Sequence, residues 1–269
     1  MTRYNWIGVF LFAAIFASSF LANENAGLFL NQIGLLVVVS GTLGAVFLSY
    51  PSASIVASVK VAQNSFSTHA TTAKEIVDAL LDLSVRSRRK GLVALENAEE
   101  ETSISFLKRA LGMLVDGYTA DEIRDILYTE MHYFKERRSQ HERFFRHAAR
   151  LAPAFGVAGS VIGLIGMLSG IGEADVIIES IPVALTSTLY GIVLGNFFLT
   201  PIAENIYAKT RQELMLQKLA TDGVMAIQHE QNPYRLAMKL ESFLTPSARS
   251  ENVHTFEEIR QRVRALQTQ

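Results

Sequence analysis

The sequence predicts an all-α integral membrane protein with four transmembrane helices, a helical cytoplasmic domain between the second and third of them, and a helical cytoplasmic tail. Three observations carry that prediction. Four stretches of the 269 residues lack Asp, Glu, Lys and Arg: between Arg3 and Glu24, Glu24 and Lys60, Arg150 and Glu173, and Glu179 and Glu204. A spanning helix needs about 20 mostly apolar residues, because without water every backbone N–H and C=O must be paired inside the segment, and all four stretches reach that length. The charges are concentrated elsewhere, with 45 of 51 in residues 51–150 and 208–269. Those charged segments carry helix caps followed by apolar residues at 3.6-residue spacing, and no period-2 run bounded by hairpin turn residues.

Residues 1–50 form the first transmembrane hairpin, with helices at about 5–22 and 28–50. Arg3 ahead of the apolar run Trp6–Ala22 has the look of a secretory signal. The run is longer than the ~7–15 residues of a signal's apolar region, and three further spans follow, so it reads as a retained helix. Orientation follows from the basic residues. Of 25 Lys and Arg, 15 lie in residues 51–150, nine lie in residues 208–269, and Arg3 completes the count. The connections near Asn23–Gly27 and Gly170–Ser180 contain none. The positive-inside rule therefore places the middle segment, the tail and both termini in the cytoplasm, and the loop bearing Glu173, Asp175 and Glu179 outside.

Residues 51–150 form the cytoplasmic domain. Thr72-Ala-Lys-Glu75 and Thr119-Ala-Asp-Glu122 place a hydroxyl three residues before a carboxylate, so each pair satisfies orphan N–H groups at a helix start. Ile76, Leu80, Leu81 and Leu83 form the apolar face behind the first cap, and Ile123, Ile126 and Leu127 that behind the second. From about Asp125 the helical pattern continues through Tyr133, Phe134, Phe144 and Phe145 into the third span, with an interruption expected at Pro153.

The second hairpin, residues 151–207, has helices at about 151–171 and 180–203. Gly159/Gly163 and Gly166/Gly170 are small residues four apart, which let helix backbones approach closely in lipid. The fourth span carries Thr186-Ser-Thr-Leu-Tyr-Gly191 and ends at Thr200-Pro201. Hydroxyls in such helices commonly bond back to a carbonyl of their own helix. In the tail, residues 208–269, one helix continues from the fourth span through Met225, with a break at Asn232-Pro233. A shorter helix follows near Tyr234–Leu244, and Thr255-Phe-Glu-Glu258 caps a terminal one.

Several functions are excluded. The chain has no Cys, hence no disulfide, thiolate metal site or Cys nucleophile, and its net charge of −1 gives no bulk attraction to nucleic acid. The six His lie outside the spans without an i, i+4 ligand pair, and neither a phosphate-binding Gly loop nor a Gly-x-Ser-x-Gly elbow is present, so no enzyme and no bound metal are expected. The spans hold no ionisable group in their interior, although such groups normally mark proton and sodium pathways; Glu204 lies at the end of the fourth. If the protein conducts ions, another chain must supply the titrating carboxylate, which points to an obligate membrane partner.

Ala152-Pro-Ala-Phe-Gly-Val-Ala-Gly-Ser-Val-Ile-Gly-Leu164, Val183-Ala-Leu-Thr-Ser-Thr-Leu-Tyr-Gly191 and Asn196-Phe-Phe-Leu-Thr-Pro-Ile-Ala203 resemble the third and fourth spans of the flagellar motor stator A-subunits, the MotA/PomA family of the MotA/TolQ/ExbB superfamily. The likeness extends to Ser87-Arg-Arg-Lys-Gly-Leu-Val-Ala-Leu-Glu96, to Met225–Pro233 and to Phe243–Arg249, in collinear order over nearly the whole chain. The resemblance implies a bacterial inner-membrane subunit that surrounds two copies of a B-subunit (MotB/PomB) as a pentamer and couples inward ion flow to flagellar rotation, the essential Asp coming from the B-subunit. It implies no cofactor, only a transported cation in passage. Arg88 and Glu96, with Arg89 and Lys90 nearby, match the family's contact with the rotor switch-complex protein FliG. Pro153 and Pro201 match the prolines assigned to conformational coupling. Ser160, Ser187 and Thr188 stand where sodium-driven relatives have threonines, and Thr186 is grouped with them in the ion path. Proton-driven relatives often have Ala at the first of these positions, so the balance leans to sodium. The alternative is an ExbB/TolQ-like proton-channel subunit that energises outer-membrane processes.

Overall fold

The computed structural model describes residues 3–22, 26–67, 71–91, 95, 105–229 and 232–244, and the regular elements among them are helical throughout. They are α1 (Arg3–Leu21), a 3-10 turn (Ala26–Phe29), α2 (Gln32–Ser49), α3 (Ser52–Ser67), α4 (Ala73–Lys90), α5 (Ser105–Val115), α6 (Ala120–Ser169), α7 (Ala174–Val193), a π-helical turn (Leu194–Leu199), α8 (Thr200–Gln228) and α9 (Pro233–Glu241). Among the described residues, three stretches are long and apolar enough to cross a membrane, within Ala26–Ser49, Ala120–Ser169 and Asp175–Gln228; Ile7–Ser19 of α1 is a shorter apolar helix. The chain divides into two compact units, Met1–Thr68 with Arg137–Lys209, and His69–Glu136 with Thr210–Gln269.

In the first unit, Asn31 caps α2 by accepting from the Gly34 N–H at 2.9 Å. Tyr190 of α7 fixes the turn before it, its hydroxyl accepting from Asn31 N–H at 2.8 Å and donating to the Phe29 carbonyl. Pro51 ends α2, since it has no N–H to continue the ladder. Only Gly34, Val38, Thr42 and Val46 of α2 are buried, one stripe at every fourth residue. Leu35, Leu36, Leu43, Phe47 and Leu48 stay exposed, as do Val157, Ile165 and Leu168 of α6 and Ile178 and Leu185 of α7. In water so large an apolar surface marks an interaction site; against hydrocarbon it is the ordinary outside of a membrane helix. At one end of this unit Val46, Ala62, Phe144, Phe145, Ala148, Ala203 and Ile206 form a core, with Tyr50 packed edge-on to Phe144 at 5.2 Å between ring centroids.

The second unit has a larger core, built from Ile76, Val77, Leu80, Leu81 and Leu83 of α4, Leu107, Leu111 and Leu114 of α5, Ile123 and Leu127 of α6, Leu219 and Val224 of α8, and Leu236 and Leu240 of α9. The predicted caps are present. Thr72 accepts from Glu75 N–H at 3.2 Å, and Glu122 accepts from Thr119 N–H at 2.8 Å. The Thr119 N–H and then its hydroxyl, which donates to the same carboxylate at 2.7 Å, hold the Glu122 carboxyl below its ordinary value. Gly91 ends α4 at φ +75°, in the left-handed region that L side chains avoid.

One carboxylate sits badly here. Asp78 Oδ1 is buried without a hydrogen-bond partner among the described residues, and burial raises its pKa against the weaker pull of Lys74. A folded-state pKa above the unfolded one means that folding is opposed more strongly as pH rises through the folded value. Asp78→Asn is therefore expected to raise the melting temperature by a few degrees at neutral pH. The gain should fade as pH drops through about 4 and vanish near pH ~3, where the carboxyl is protonated in both states. Melting curves at the two pH values check this.

Two sequence expectations need correction. No interruption occurs at Pro153, because α6 runs unbroken from Ala120 to Ser169 with the proline inside it. The irregularity falls instead on the π-helical turn. The outer connection is also tighter than expected, since α7 begins at Ala174 rather than near residue 180 and takes Asp175 into its first turn. A carboxylate there complements the partial positive charge of the helix start. Pro246, expected to end the helix near Tyr234–Leu244, and the helix expected behind Thr255 lie outside the described residues.

Candidate functional site

The site is built where α6 and α7 touch through glycines. A Cβ on Gly163 would lie 2.6 Å from Ala184 N, one on Gly191 2.5 Å from the Ala152 carbonyl oxygen, and one on Gly156 2.9 Å from the Ser187 carbonyl oxygen. Backbone meets backbone at each point, a contact that only glycine allows. This approach brings two predicted residues together: Ser160 Oγ and Thr188 Oγ1 are 2.5 Å apart, and Ser160 also donates to the Ala184 carbonyl. The Gly156 carbonyl is 3.3 Å from Ser160 Oγ. Two hydroxyl and two carbonyl oxygens thus converge from the two helices, and Ser160 and Thr188 are only half-buried.

Thr186 and Ser187 do something else. Each hydroxyl bonds back to its own helix at 2.6 Å, Thr186 to Pro182 O and Ser187 to Val183 O. Ser187 has no exposed surface, and it is wedged where a Cβ on Gly34 of α2 would meet its Oγ at 2.8 Å and one on Gly159 of α6 would meet its Cβ at 2.6 Å. Ser187 joins three helices, whereas the open oxygen cluster belongs to Ser160 and Thr188.

The two prolines flank the irregular stretch. Pro153 leaves the Ala149 carbonyl without its donor four residues on. That oxygen lies 2.6 Å from where a Cβ on Gly195 would stand, and the Pro153 ring follows at 3.1 Å. Gly195 is the second residue of the π-helical turn, where the Thr200 backbone N–H bonds to the Gly195 carbonyl rather than one residue on, and the Thr200 hydroxyl donates to the same oxygen at 2.9 Å. Pro201 supplies no N–H to the next position, so one missing donor lies against the widened turn and a second follows it along the chain. Beside it Arg146 spans Glu142 at 2.7 Å and Glu204 at 2.9 Å, tying α6 to the start of α8. Sequence reasoning missed the Ala184 and Gly156 carbonyls, the π-helical turn and this ion pair; the Gly191/Gly195 spacing was the one available signal.

Of the residues matched to the rotor contact, Arg88 is exposed in the last turn of α4, and the backbone of that turn also carries Arg89 and Lys90. Glu96 lies outside the described residues.

The fold and the site define a multi-pass membrane protein in which two apolar helices, packed through glycines, present a cluster of hydroxyl and carbonyl oxygens. Residues 98–219 match the model of the MotA/TolQ/ExbB proton channel family. The chain is 30% identical to the chemotaxis protein PomA of Vibrio alginolyticus over 249 residues, 93% of this chain and 96% of that one. It is 32% identical to motility protein A of Treponema phagedenis over 252 residues, 93% and 97% of the two chains. The solved flagellar MotAB stator complex from Bacillus subtilis superposes with a TM-score of 0.84 at 30% identity, covering 92% of this chain and 98% of that one. The chain belongs to the MotA/PomA family of flagellar motor stator A-subunits, within the MotA/TolQ/ExbB superfamily, and is an inner-membrane ion-channel subunit rather than an enzyme.

Proposed function

We propose that this chain is a stator subunit that forms a cation channel with a MotB/PomB-type B-subunit and turns inward cation flow into torque on the flagellar rotor. The observation that carries the reading is the Ser160–Thr188 cluster. It offers only neutral oxygens on helices with no Asp, Glu, Lys, Arg or His in residues 151–172 and 180–203, so the carboxylate that binds and releases the cation comes from the B-subunit. The solved relative is itself a MotAB complex. In this reading five A-subunits surround two B-subunits, the chain spans the membrane four times, and both termini are cytoplasmic. Pro153, packed against Gly195 of the π-helical turn, and Pro201, just after that turn, supply helix segments with spare carbonyls that shift between two shapes as the cation comes and goes.

Hydroxyl and carbonyl oxygens replace the water shell of a metal cation, whereas a proton needs no such cluster. Sodium is therefore the favoured ion. Rotation speed measured against external sodium at constant pH tests this: speed should rise with sodium and saturate. Speed indifferent to sodium, but lost with the proton gradient, would assign the proton instead.

Torque transfer is assigned to Arg88 with Arg89, Lys90 and Glu96 against FliG. Arg88→Glu is expected to cut torque severely in a tethered-cell assay while membrane insertion stays normal, and an opposite charge reversal in FliG should restore part of it. Unchanged torque in the single variant would remove Arg88 from the contact.

A further inference from the structure

On the first unit, α6 and the π-helical turn enclose a cavity of about 370 Å³ lined by Arg143, Arg146, Ala149, Arg150, Asn196 and Thr200. The three arginines fall at i, i+3 and i+7 and share one helix face. Arg146 is neutralised by Glu142 and Glu204. Arg143 and Arg150 are exposed and have neither ion pair nor hydrogen bond among the described residues. The cavity thus holds two uncompensated guanidinium groups, with the Asn196 amide as a neutral donor beside them. Thr200 contributes shape, because its hydroxyl is already committed to Gly195.

The depth of the cavity is legible from the charges. Arg150 is the last charged residue before the uncharged stretch 151–172, and Asn196 and Thr200 lie in the last turns of the uncharged stretch 180–203. The cavity therefore opens where hydrocarbon gives way to headgroups, on the side that the Lys and Arg bias makes cytoplasmic. Phe198, 55% exposed, and Phe197, stacked on Phe16 of α1 at 5.8 Å between ring centroids and still 40% exposed, follow Asn196 in the chain and offer apolar surface. A basic pocket between membrane helices at that depth is suited to an anionic headgroup.

We propose that this cavity binds an anionic phospholipid, its phosphate held by Arg143 and Arg150 and its acyl chains laid against Phe197 and Phe198. A zwitterionic lipid brings the same phosphate but also a positive group, which the paired guanidiniums repel, so the site selects phosphatidylglycerol or cardiolipin. The bound headgroup sits against Ala149 and Thr200, at the stretch where Pro153, Pro201 and the widened turn leave the helices irregular.

The test uses the complete chain with its B-subunit, reconstituted in nanodiscs of phosphatidylcholine containing graded phosphatidylglycerol, with retained lipid counted by native mass spectrometry. Wild type should retain phosphatidylglycerol in preference to phosphatidylcholine. Arg143→Gln with Arg150→Gln should weaken retention roughly 25-fold, at about fivefold per basic group, and Arg143→Lys with Arg150→Lys should keep most of it. The oligomer mass in the same spectra reports whether each variant is assembled, and the Lys pair carries the test if the Gln pair is not. Equal retention by wild type and the Gln pair, or no preference for phosphatidylglycerol in wild type, overturns the proposal. Full displacement of the lipid by millimolar inorganic phosphate also overturns it, in favour of a soluble anion. Crosslinking of Arg150→Cys to the B-subunit with no lipid retained assigns the cavity to that chain instead.

Discussion

Gly191→Leu is expected to abolish rotation by separating α6 from α7. A Cβ at this position meets Ala152 O at 2.5 Å and the Cα atoms of Gly156 and Pro153 at 3.0 Å each. All three are backbone atoms, so no rotamer change relieves the clash, and the helices must part. Overpacking of this kind costs about 1–3 kcal/mol or more, a large share of the marginal stability of a folded chain. The loss spreads beyond position 191. Thr188 lies one turn before it and would be drawn away from Ser160, and Gly195 lies one turn after it and would leave the Pro153 ring. Gly44→Leu is the control, because nothing stands within 4 Å of a Cβ there. The purified complex of the Gly191 variant should melt well below wild type and the cells should not swim, while the Gly44 variant should insert and melt normally. Wild-type melting and swimming in Gly191→Leu would show that the glycine contact is not what holds the two helices together.

The second large effect is expected at the oxygen cluster. Thr188→Ala removes one of its two hydroxyls, and Ser160→Ala removes the other together with the link to Ala184 O. A hydrogen-bonding or ligating oxygen is worth about 1 kcal/mol net, so each variant should raise the sodium concentration for half-maximal speed about fivefold. Speed at saturating sodium should fall less. Ser187→Ala should behave differently: its hydroxyl has no exposed surface and serves its own helix, so the loss should appear in melting temperature with little change in sodium dependence. Titrating speed against sodium for the three variants separates the residues that meet the cation from the one that packs helices. A shift for Ser187→Ala as large as that for Thr188→Ala would place the ion path through the α2–α6–α7 junction instead.

The contrast between Thr188 and Ser187 also marks what the sequence makes legible. Spans, caps and the charge asymmetry are local or additive properties, so Thr72, Thr119 and the uncharged stretches predicted helices that the structure contains. Three consecutive hydroxyls are another matter. They point about 100° apart around the helix, and which of them faces a neighbour depends on Gly34 and Gly159, far away in the chain. Pro153 failed as a break for the same reason, because its accommodation rests on Gly191 and Gly195 in another helix. The π-helical turn has no composition of its own and exists through the bonds that Thr200 makes to Gly195. Arg143, Arg146 and Arg150 were legible only as a charge bias, and their convergence on Asn196 and Thr200 is a product of the fold.

The central claim, that this chain drives the flagellar rotor with a B-subunit, is tested most directly by stator resurrection. In the native host with every stator gene deleted, this chain and its B-subunit are induced together while the rotation of single tethered cells is recorded. The account predicts paralysed cells that resume rotation in discrete speed steps as complexes join the motor, and no steps when the chain is induced without its B-subunit. Cells that stay paralysed although both subunits are inserted in the membrane, or that rotate before induction, would contradict it.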